Sequence, residues 1–490
     1  MQKMLTQLLP ELSLPIDIPI TGITDDSRKV QKGDLFLAVT GTDFDGKNYI
    51  SEVANKSAAA VVCDSKVENK VDYNVPIFEA NDLSSRRGQI AGLFYDCPSA
   101  SMTMIGVTGT NGKTSCSQFI ATALDFLGKP SGVVGTMGYG TGDRVKNPGL
   151  TTPDAISLQE ILAELRDQGA KVVSFEASSH GIVQDRLGGI DVDIAVLTNV
   201  TRDHLDYHES FDGYKRAKQK LFEIQGLKAA VINLDDSFSE QLIGKIDASV
   251  ELLTYSLTNS QASVFCRNLA FTSHGFNSEV ATPWGNVQLT SCLLGDFNVS
   301  NLLAVVAVLG LQGYSQDEIS RASAALTNVK GRMDLMPGGD CANVVIDYAH
   351  TPDALEKAIK AVRLHSDSDI WCVMGCGGNR DKGKRPEMGE IATRLADHTI
   401  ITDDNPRDES SEVIIDDILK GAHKDASIRV LADRAEAIEY ALTYAKSDDV
   451  ILIAGKGHED YQEVNGKRIS FSDYVEVEKY LGVQRGDEES

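Results

Sequence analysis

The stretch "IGVTGTNGKTS", residues 105–115, decides the fold. It ends the apolar run "MTMIGV" and leads directly into "CSQFIATALDFLG" (116–128), whose apolar residues recur at helical spacing. Strand, glycine-rich turn and helix in that order make a phosphate cradle. Glycines let the backbone wrap the anion, and amides at the helix N-terminus point towards it. The strict G-x4-G-K-T spacing is not met, because Gly106 lies one residue too early. The loop reads from Gly109 through Thr110, Asn111, Gly112, Lys113 and Thr114 to Ser115. Lys113 is placed to reach β/γ-phosphates, and the Thr114 hydroxyl to ligate Mg²⁺. This motif implies a nucleoside triphosphate and leaves the reaction open.

Outward from the loop, apolar runs "SGVVGT", "KVVSFEAS", "DIAVLTNV" and "AAVINLDD" alternate with helix-like stretches. That pattern predicts a parallel sheet covered on both faces. After "NVKGRMDL" (328–335) a fresh alternation begins with "NVVIDYA", "DIWCVMG", "HTIITDD" and "DVILIAG". Shorter strand-like runs, "DLFLAVTG" and "AAAVVCD", precede residue 100. The expectation is therefore an α/β protein of three domains: 1–100, a central phosphate-loop domain 101–330, and a Rossmann-like domain 331–490.

Forty-seven Lys and Arg face 71 Asp and Glu, a net charge of −24. Such a chain is not expected to bind nucleic acid or anionic membranes, which need clustered cations. Eight scattered cysteines form no C-x2-C pair and read as reduced thiols of a cytoplasmic protein. No secretory signal is evident, and no apolar run reaches membrane-spanning length.

Further along lie residue types that suit phosphate chemistry. Glu176 in "VVSFEASSHG" and His204 in "VLTNVTRDHLDYH" follow strands, where ligands of parallel sheets gather. With Thr114 they suit Mg²⁺, which takes few protein ligands. Histidine is an unusual Mg²⁺ ligand, so His204 alone reads equally as a polar strand-end residue. Lys218, in "YKRAKQKLF", reads alone as a solvated helix lysine beside Lys215 and Lys220. "VIDYAHTPDAL" suits a helix-capping turn.

Taken together, "GVTGTNGKT" and the motifs that follow in order resemble the Mur ligases, which build the peptide of the bacterial cell-wall precursor. The resemblance runs along nearly the whole chain, and it is nearest to the diaminopimelate-adding branch. It implies a UDP-sugar domain, an ATP domain and an amino-acid domain. It also implies Glu176 and His204 as ligands of two Mg²⁺ ions, and Lys218 as a carbamate formed with CO2. The catalytic set it implies is Lys113, Glu176, His204, Lys218 and Arg332. Asn298, Arg332, Asp347 and His350 would join the phosphate loop in the ATP site. In place of the family's more frequent Pro and Glu around "GRMD", this chain has Lys330 and Asp334. Ser27, Thr42, Asp43, Phe44, Thr151, Thr152, Ser178, Gln184 and Arg186 match contacts to UDP-N-acetylmuramoyl-dipeptide. Arg380, Asp404, Asn405, Pro406, Arg407, Gly455 and Glu459 match contacts to meso-diaminopimelate.

Charge chemistry supports the last assignment. Diaminopimelate carries two carboxylates, which arginine forks hold, and two amines, one suited to Glu459. A lysine-adding enzyme would leave Arg407 of "DNPR" (404–407) unpaired. A folylpolyglutamate synthetase lacks the UDP-type N-terminal segment. A phosphate-loop switch protein would need neither a carbamate lysine nor an amino-acid pocket. The expected protein is a cytoplasmic, monomeric ligase that passes through an acyl phosphate.

Overall fold

In the computed structural model, residues 1–490 are described except 13, 15, 41–44, 65–72, 143, 147–148 and 483–490. The chain forms two compact units. The first holds Met1–Phe265, Thr282–Trp284 and Asn301–Glu318, and the second holds Cys266–Ala281, Gly285–Ser300 and Ile319–Ser490.

The first unit contains two parallel arrays. A four-stranded sheet runs in the order Gly22–Thr24, Asp34–Ala38, Ala60–Cys63, Ile77–Glu79, every pair parallel. The larger sheet has parallel neighbours in the order Ser131–Gly135, Val172–Glu176, Thr103–Thr108, Ile194–Leu197, Ala229–Asn233, Glu251–Ser256. All but the last of these strands are buried on both faces, so near-continuous apolar runs are what they require. Met104, Val173, Phe175, Leu197 and Ile232 share one core, each with almost no exposure. Each such side chain contributes roughly 1.5–3 kcal/mol by leaving water.

The strand order explains where a ligand can sit. From Thr103–Thr108 the chain goes to one side, through Ser131–Gly135 and Val172–Glu176, and then crosses to the other at Ile194–Leu197. The strand ends diverge at that reversal and open a crevice over the carboxyl end of Thr103–Thr108. Residues 109–112 lie there.

The second unit has a six-stranded sheet in the order Asp334–Met336, Asn343–Asp347, Val450–Ala454, Ile370–Met374, His398–Ile401, Ser427–Val430. Only the first strand is antiparallel to its neighbour. Separate apolar cores cover its faces, one around Leu355, Met388 and Ile418 and one around Ile438, Leu442 and Val477. Thr351 caps the helix Pro352–Arg363, accepting from the Ala354 amide at 3.3 Å, as its Thr-Pro-Asp start predicts. The order reverses again at Val450–Ala454, which enters last between two earlier strands.

Sequence reading did not anticipate the strands Val264–Thr272, Gly275–Thr282 and Gly285–Ser291. The last alternates buried and exposed residues, the mark of a half-covered strand. Also unanticipated was the hairpin Tyr461–Val464 with Lys467–Ser470. Its turn is Asn465-Gly466, both at positive φ, the preferred chemistry for a two-residue hairpin turn.

Candidate functional site

The phosphate loop is shaped by its glycines. Gly109 has φ +153°, and a β-carbon there would lie 1.8 Å from Thr198 Oγ1. Gly112, at φ +84°, begins the helix Lys113–Phe126 and stands against Asn301, whose Oδ1 would be 2.6 Å from an added β-carbon. Residues from the next strand end fix the rest. Asn199 Oδ1 accepts from the Asn111 amide at 3.0 Å, the Asn199 carbonyl accepts from the Thr110 amide at 2.7 Å, and Thr198 Oγ1 donates to the Asn111 carbonyl at 2.6 Å. Thr198 and Asn199 were missed in the sequence, although "VLTNV" places two polar residues at a strand end.

Glu176 is buried at the end of its own strand. Its carboxylate accepts from Thr114 Oγ1 at 3.1 Å, from the Thr136 amide at 2.7 Å and from Thr136 Oγ1 at 3.2 Å. Thr136 was also missed. The hydroxyl and carboxylate that sequence reading paired are therefore neighbours. Two buried hard-oxygen donors beside the phosphate loop fit Mg²⁺, which keeps few protein ligands. His204 is more open and sits at φ +51°. Its Nε2 is 3.4 Å from Asp203 Oδ2, and its ring meets His180 edge-on at 4.8 Å. Among the described residues, no group of three or more His, Cys, Asp and Glu is arranged to hold a metal unaided.

Lys218 is the outlier. It lies in the helix Phe211–Gln219 with only 1% of its surface exposed. Its Nζ donates to the Gly109 carbonyl at 2.6 Å and lies 4.4 Å from the centre of the Tyr214 ring. Lys113 Nζ donates to the same carbonyl at 2.9 Å. Burial, and then repulsion from Lys113, push the Lys218 ammonium well below the usual lysine range, with Asp203 opposing. A solvated surface lysine is excluded; Lys218 is buried beside the phosphate loop, and that burial favours the uncharged amine.

Of the residues matched to the sugar-dipeptide, Thr151, Thr152, Ser178, Gln184 and Arg186 form a connected set in the same unit. Thr152 Oγ1 donates to the Glu176 carbonyl at 2.8 Å and lies 3.0 Å from Ser178 Oγ. Thr151 Oγ1 is 3.0 Å from Thr136 Oγ1. Arg186 donates through Nη1 to the Thr152 carbonyl at 2.6 Å and through Nε to Gln184 Oε1 at 3.0 Å. Ser27 is buried, 3.5 Å from Glu52 Oε2. Thr42, Asp43 and Phe44 lie outside the described residues.

In the second unit, Arg332, Asp347 and His350 gather around Tyr348. The Arg332 guanidinium stands 4.7 Å from the Tyr348 ring centre, and His350 packs on the same ring. Burial pushes the Asp347 carboxyl up to about 6, against Arg332 and two backbone amides. Burial likewise lowers His350. Asn298 is buried and donates to the Leu294 carbonyl at 2.9 Å.

The amino-acid residues converge where this sheet reverses. Asn405 is the hub: Nδ2 donates to Glu459 Oε2 at 2.9 Å, and Oδ1 accepts from the Glu463 amide at 2.9 Å and Lys456 Nζ at 3.2 Å. Lys456, fully buried and unforeseen from sequence, also pairs with Glu459 at 2.9 Å. Burial raises Glu459, but Lys456 and Asn405 outweigh it and hold the carboxyl below its usual range. Gly455 has φ +118° and presses on Asp404, whose buried Oδ2 has no partner. Arg407 occupies left-handed space at φ +52°, a conformation costing roughly 1 kcal/mol for a residue with a β-carbon. Arg380 is exposed, and its Nη1 donates to the Asn379 carbonyl at 3.3 Å.

A phosphate loop at a sheet reversal, a buried Glu–Thr pair and a buried lysine define a nucleotide-dependent enzyme of the phosphate-loop class. Comparison with known proteins narrows the class. Residues 19–94 match the Mur ligase family catalytic domain, 107–309 the Mur ligase middle domain, and 331–457 the Mur ligase glutamate ligase domain. The UDP-N-acetylmuramoyl-L-alanyl-D-glutamate--2,6-diaminopimelate ligase of Pseudomonas aeruginosa is 48% identical, over 98% of each chain. That of Coxiella burnetii is 44% identical, over 98% of this chain and 99% of its own. A solved structure of a ligase with that name superposes with a TM-score of 0.74 at 35% identity, covering 98% of this chain and 99% of its own. The chain belongs to the Mur ligase family. The four-stranded and six-stranded sheets each fall within one matched region, and the larger sheet falls within the middle-domain match except for the first four residues of Thr103–Thr108. All eight cysteines are free, and no described helix is long and apolar enough to cross a membrane.

Proposed function

We propose that this chain is a cytoplasmic ligase that uses ATP to join meso-diaminopimelate to UDP-N-acetylmuramoyl-L-alanyl-D-glutamate. The observation that carries the reading is the pairing of opposite charges at one sheet reversal. Arg407 and Glu459 are bound to a common framework, Arg407 through Glu463 and Glu459 through Asn405. An acid bearing two carboxylates and two amines meets both charges. L-Lysine, with one carboxylate and two amines, has no second carboxylate to offer the remaining N–H donors of Arg407.

The chemistry takes two steps. The γ-carboxylate of the glutamyl residue attacks the terminal phosphorus of ATP, and ADP leaves. The resulting acyl phosphate is then attacked by an amine of the incoming acid; the C–N bond forms, the amine loses a proton, and inorganic phosphate departs. The loop amides of residues 109–114 and Lys113 hold the phosphates in line, so catalysis is largely positioning and charge neutralisation. Thr114, Glu176, His204 and Lys218 would hold two Mg²⁺ ions, which when bound offset the negative charge of the transferring phosphoryl group.

Lys218 needs a second chemical form for that role. Its neutral nitrogen adds to CO2; a proton leaves, and a carbamate anion replaces an amine. Burial favours this, because it disfavours the protonated lysine, which has no lone pair to offer.

An amino-acid panel with purified protein, ATP and UDP-N-acetylmuramoyl-L-alanyl-D-glutamate tests the whole reading. Phosphate release and a tripeptide product should appear with meso-diaminopimelate and scarcely with L-lysine. Equal use of the two acids, or nucleotide turnover indifferent to both co-substrates, refutes it.

A further inference from the structure

We propose that Glu463, on the hairpin Tyr461–Ser470, is the positioning residue for Arg407 and thereby sets the preference for a dicarboxylic incoming acid. The inference rests on the amino-acid site argued above and extends it to a residue outside the "DNPR" motif.

Arg407 sits among acids, yet no carboxylate of its own loop pairs with it. Asp408 accepts from Asn379 Nδ2 at 2.8 Å. Glu409 takes both the buried Arg385 guanidinium, at 3.0 and 3.1 Å, and the Asn379 amide at 2.6 Å. Asp403 accepts from the Ser411 hydroxyl, and the Asp404 carboxylate, whose buried Oδ2 has no partner, makes no bond to Arg407. The carboxylate that meets Arg407 comes from 56 residues away: Glu463 Oε2 accepts from Nε at 3.1 Å. On the other side, Nη1 donates to the Gly378 carbonyl at 2.9 Å. Two of the five guanidinium N–H donors are thus anchored, and the Nη1–Nη2 edge is left to present a fork.

The same hairpin fixes the backbone of Arg407. The Arg407 amide donates to the Glu463 carbonyl at 2.8 Å, and the Asn465 amide donates to the Arg407 carbonyl at 2.7 Å. This forms an isolated bridge with Val464, which holds Arg407 at φ +52°. The hairpin is itself held by the motif, through the Glu463 amide to Asn405 Oδ1 at 2.9 Å and Gln462 Nε2 to the Asp404 carbonyl at 3.0 Å. Gly377 leaves the space open beside Arg407: a β-carbon there would come within 2.8 Å of Nη1 and 3.7 Å of Arg380 Cγ. Glu463 therefore closes a ring in which motif holds hairpin and hairpin aims the arginine. Without its carboxylate, Arg407 keeps its charge and loses its aim, so a ligand must order it on binding.

The test is steady-state kinetics on wild type, Arg407→Ala, Glu463→Ala and Glu463→Gln, with meso-diaminopimelate varied and ATP and the UDP-dipeptide saturating. Glu463→Ala should raise the KM for diaminopimelate roughly tenfold, the scale of one lost charge-assisted hydrogen bond. The kcat and the KM for ATP should stay within about twofold, since no contact to nucleotide is touched. Glu463→Gln should recover most of the loss, because its amide oxygen still accepts from Nε. Should the alanine variant not fold, Glu463→Asp, one methylene short of Arg407, carries the same comparison. An unchanged KM in Glu463→Ala with a raised KM in Arg407→Ala overturns this inference and leaves the substrate assignment standing. Parallel losses in kcat and in the KM for ATP, or Glu463→Gln as impaired as Glu463→Ala, reduce Glu463 to a structural residue and also overturn it. A wild type that uses L-lysine as well as diaminopimelate overturns the assignment beneath it.

Discussion

Asp473→Ala should unfold the second unit's sheet far more easily and damage the amino-acid site from below. Arg434 and Asp473 are both fully buried and meet through two bonds, Nε to Oδ1 at 2.7 Å and Nη2 to Oδ2 at 2.9 Å. Arg434 also donates to the Ala454 carbonyl at 3.1 Å and the Asp403 carbonyl at 3.4 Å. Those carbonyls belong to the residues just before Gly455 and just before the Asp404–Arg407 motif, so one guanidinium supports both walls of the site. Deleting the carboxylate strands a buried cation, which costs about 3–5 kcal/mol, roughly a fifth or more of a typical domain's stability. At a urea dependence of about 2 kcal/mol per molar, the midpoint should fall by about 2 M. The chain has two tryptophans, Trp284 and Trp371. In a Trp284→Phe background the fluorescence comes from Trp371, a buried residue of this sheet stacked on His398. Replacing both partners, as Arg434→Met with Asp473→Leu, should recover much of the stability. It should not restore the KM for diaminopimelate, because the Ala454 and Asp403 carbonyls lose their donor. A loss below about 1 kcal/mol for Asp473→Ala would show that the pair is not desolvated as described, and the reasoning fails.

Three further outcomes are expected. Gly112→Ala places a β-carbon 2.6 Å from Asn301 Oδ1 at φ +84° and should raise the KM for ATP roughly tenfold or more while leaving that for diaminopimelate unchanged; an unaltered ATP value removes the loop from the nucleotide site. Asp347, whose carboxyl is raised to about 6 from 3.8, binds its proton more tightly folded than unfolded, so its contribution is present below about pH 4 and lost as pH rises through 6. Urea titrations of Asp347→Asn between pH 4 and 7 should show the stability slope flattened by up to about 3 kcal/mol across that window, and an unchanged slope refutes the burial argument. Lys218→Ala should lower kcat at least about a hundredfold, and wild-type protein in ¹³CO2-enriched buffer should show a carbamate carbon resonance that the variant lacks; a resonance present in both, or undiminished turnover, removes Lys218 from the chemistry.

Much of this was legible because the informative residues obey local rules. The strands that hold the phosphate loop and the motif are doubly buried, so their apolar runs stand out from the polar turns between them. The glycines at 109 and 112 are dictated by neighbours a few ångströms away, and their spacing survives in the linear sequence. Lys218 shows where that legibility ends. Nothing in "YKRAKQKLF" marks it as buried, because the Gly109 carbonyl that receives its Nζ lies 109 residues away; only the Tyr214 ring, one turn earlier on the same helix, is local. Thr136, Thr198, Asn199 and Lys456 were missed for the same reason: each is an ordinary polar residue until a strand from elsewhere brings a partner. The Asn465-Gly466 turn is a different case, since it announces a hairpin in the sequence itself. What it does not announce is the partner. The hairpin brings Glu463 to Arg407 through bonds such as that of the Glu463 amide to Asn405, a pairing across 58 residues that no local pattern encodes. Positions that touch a ligand can be matched by motif. Positions that aim those residues are fixed by long-range contacts, and structure is the level at which they become visible.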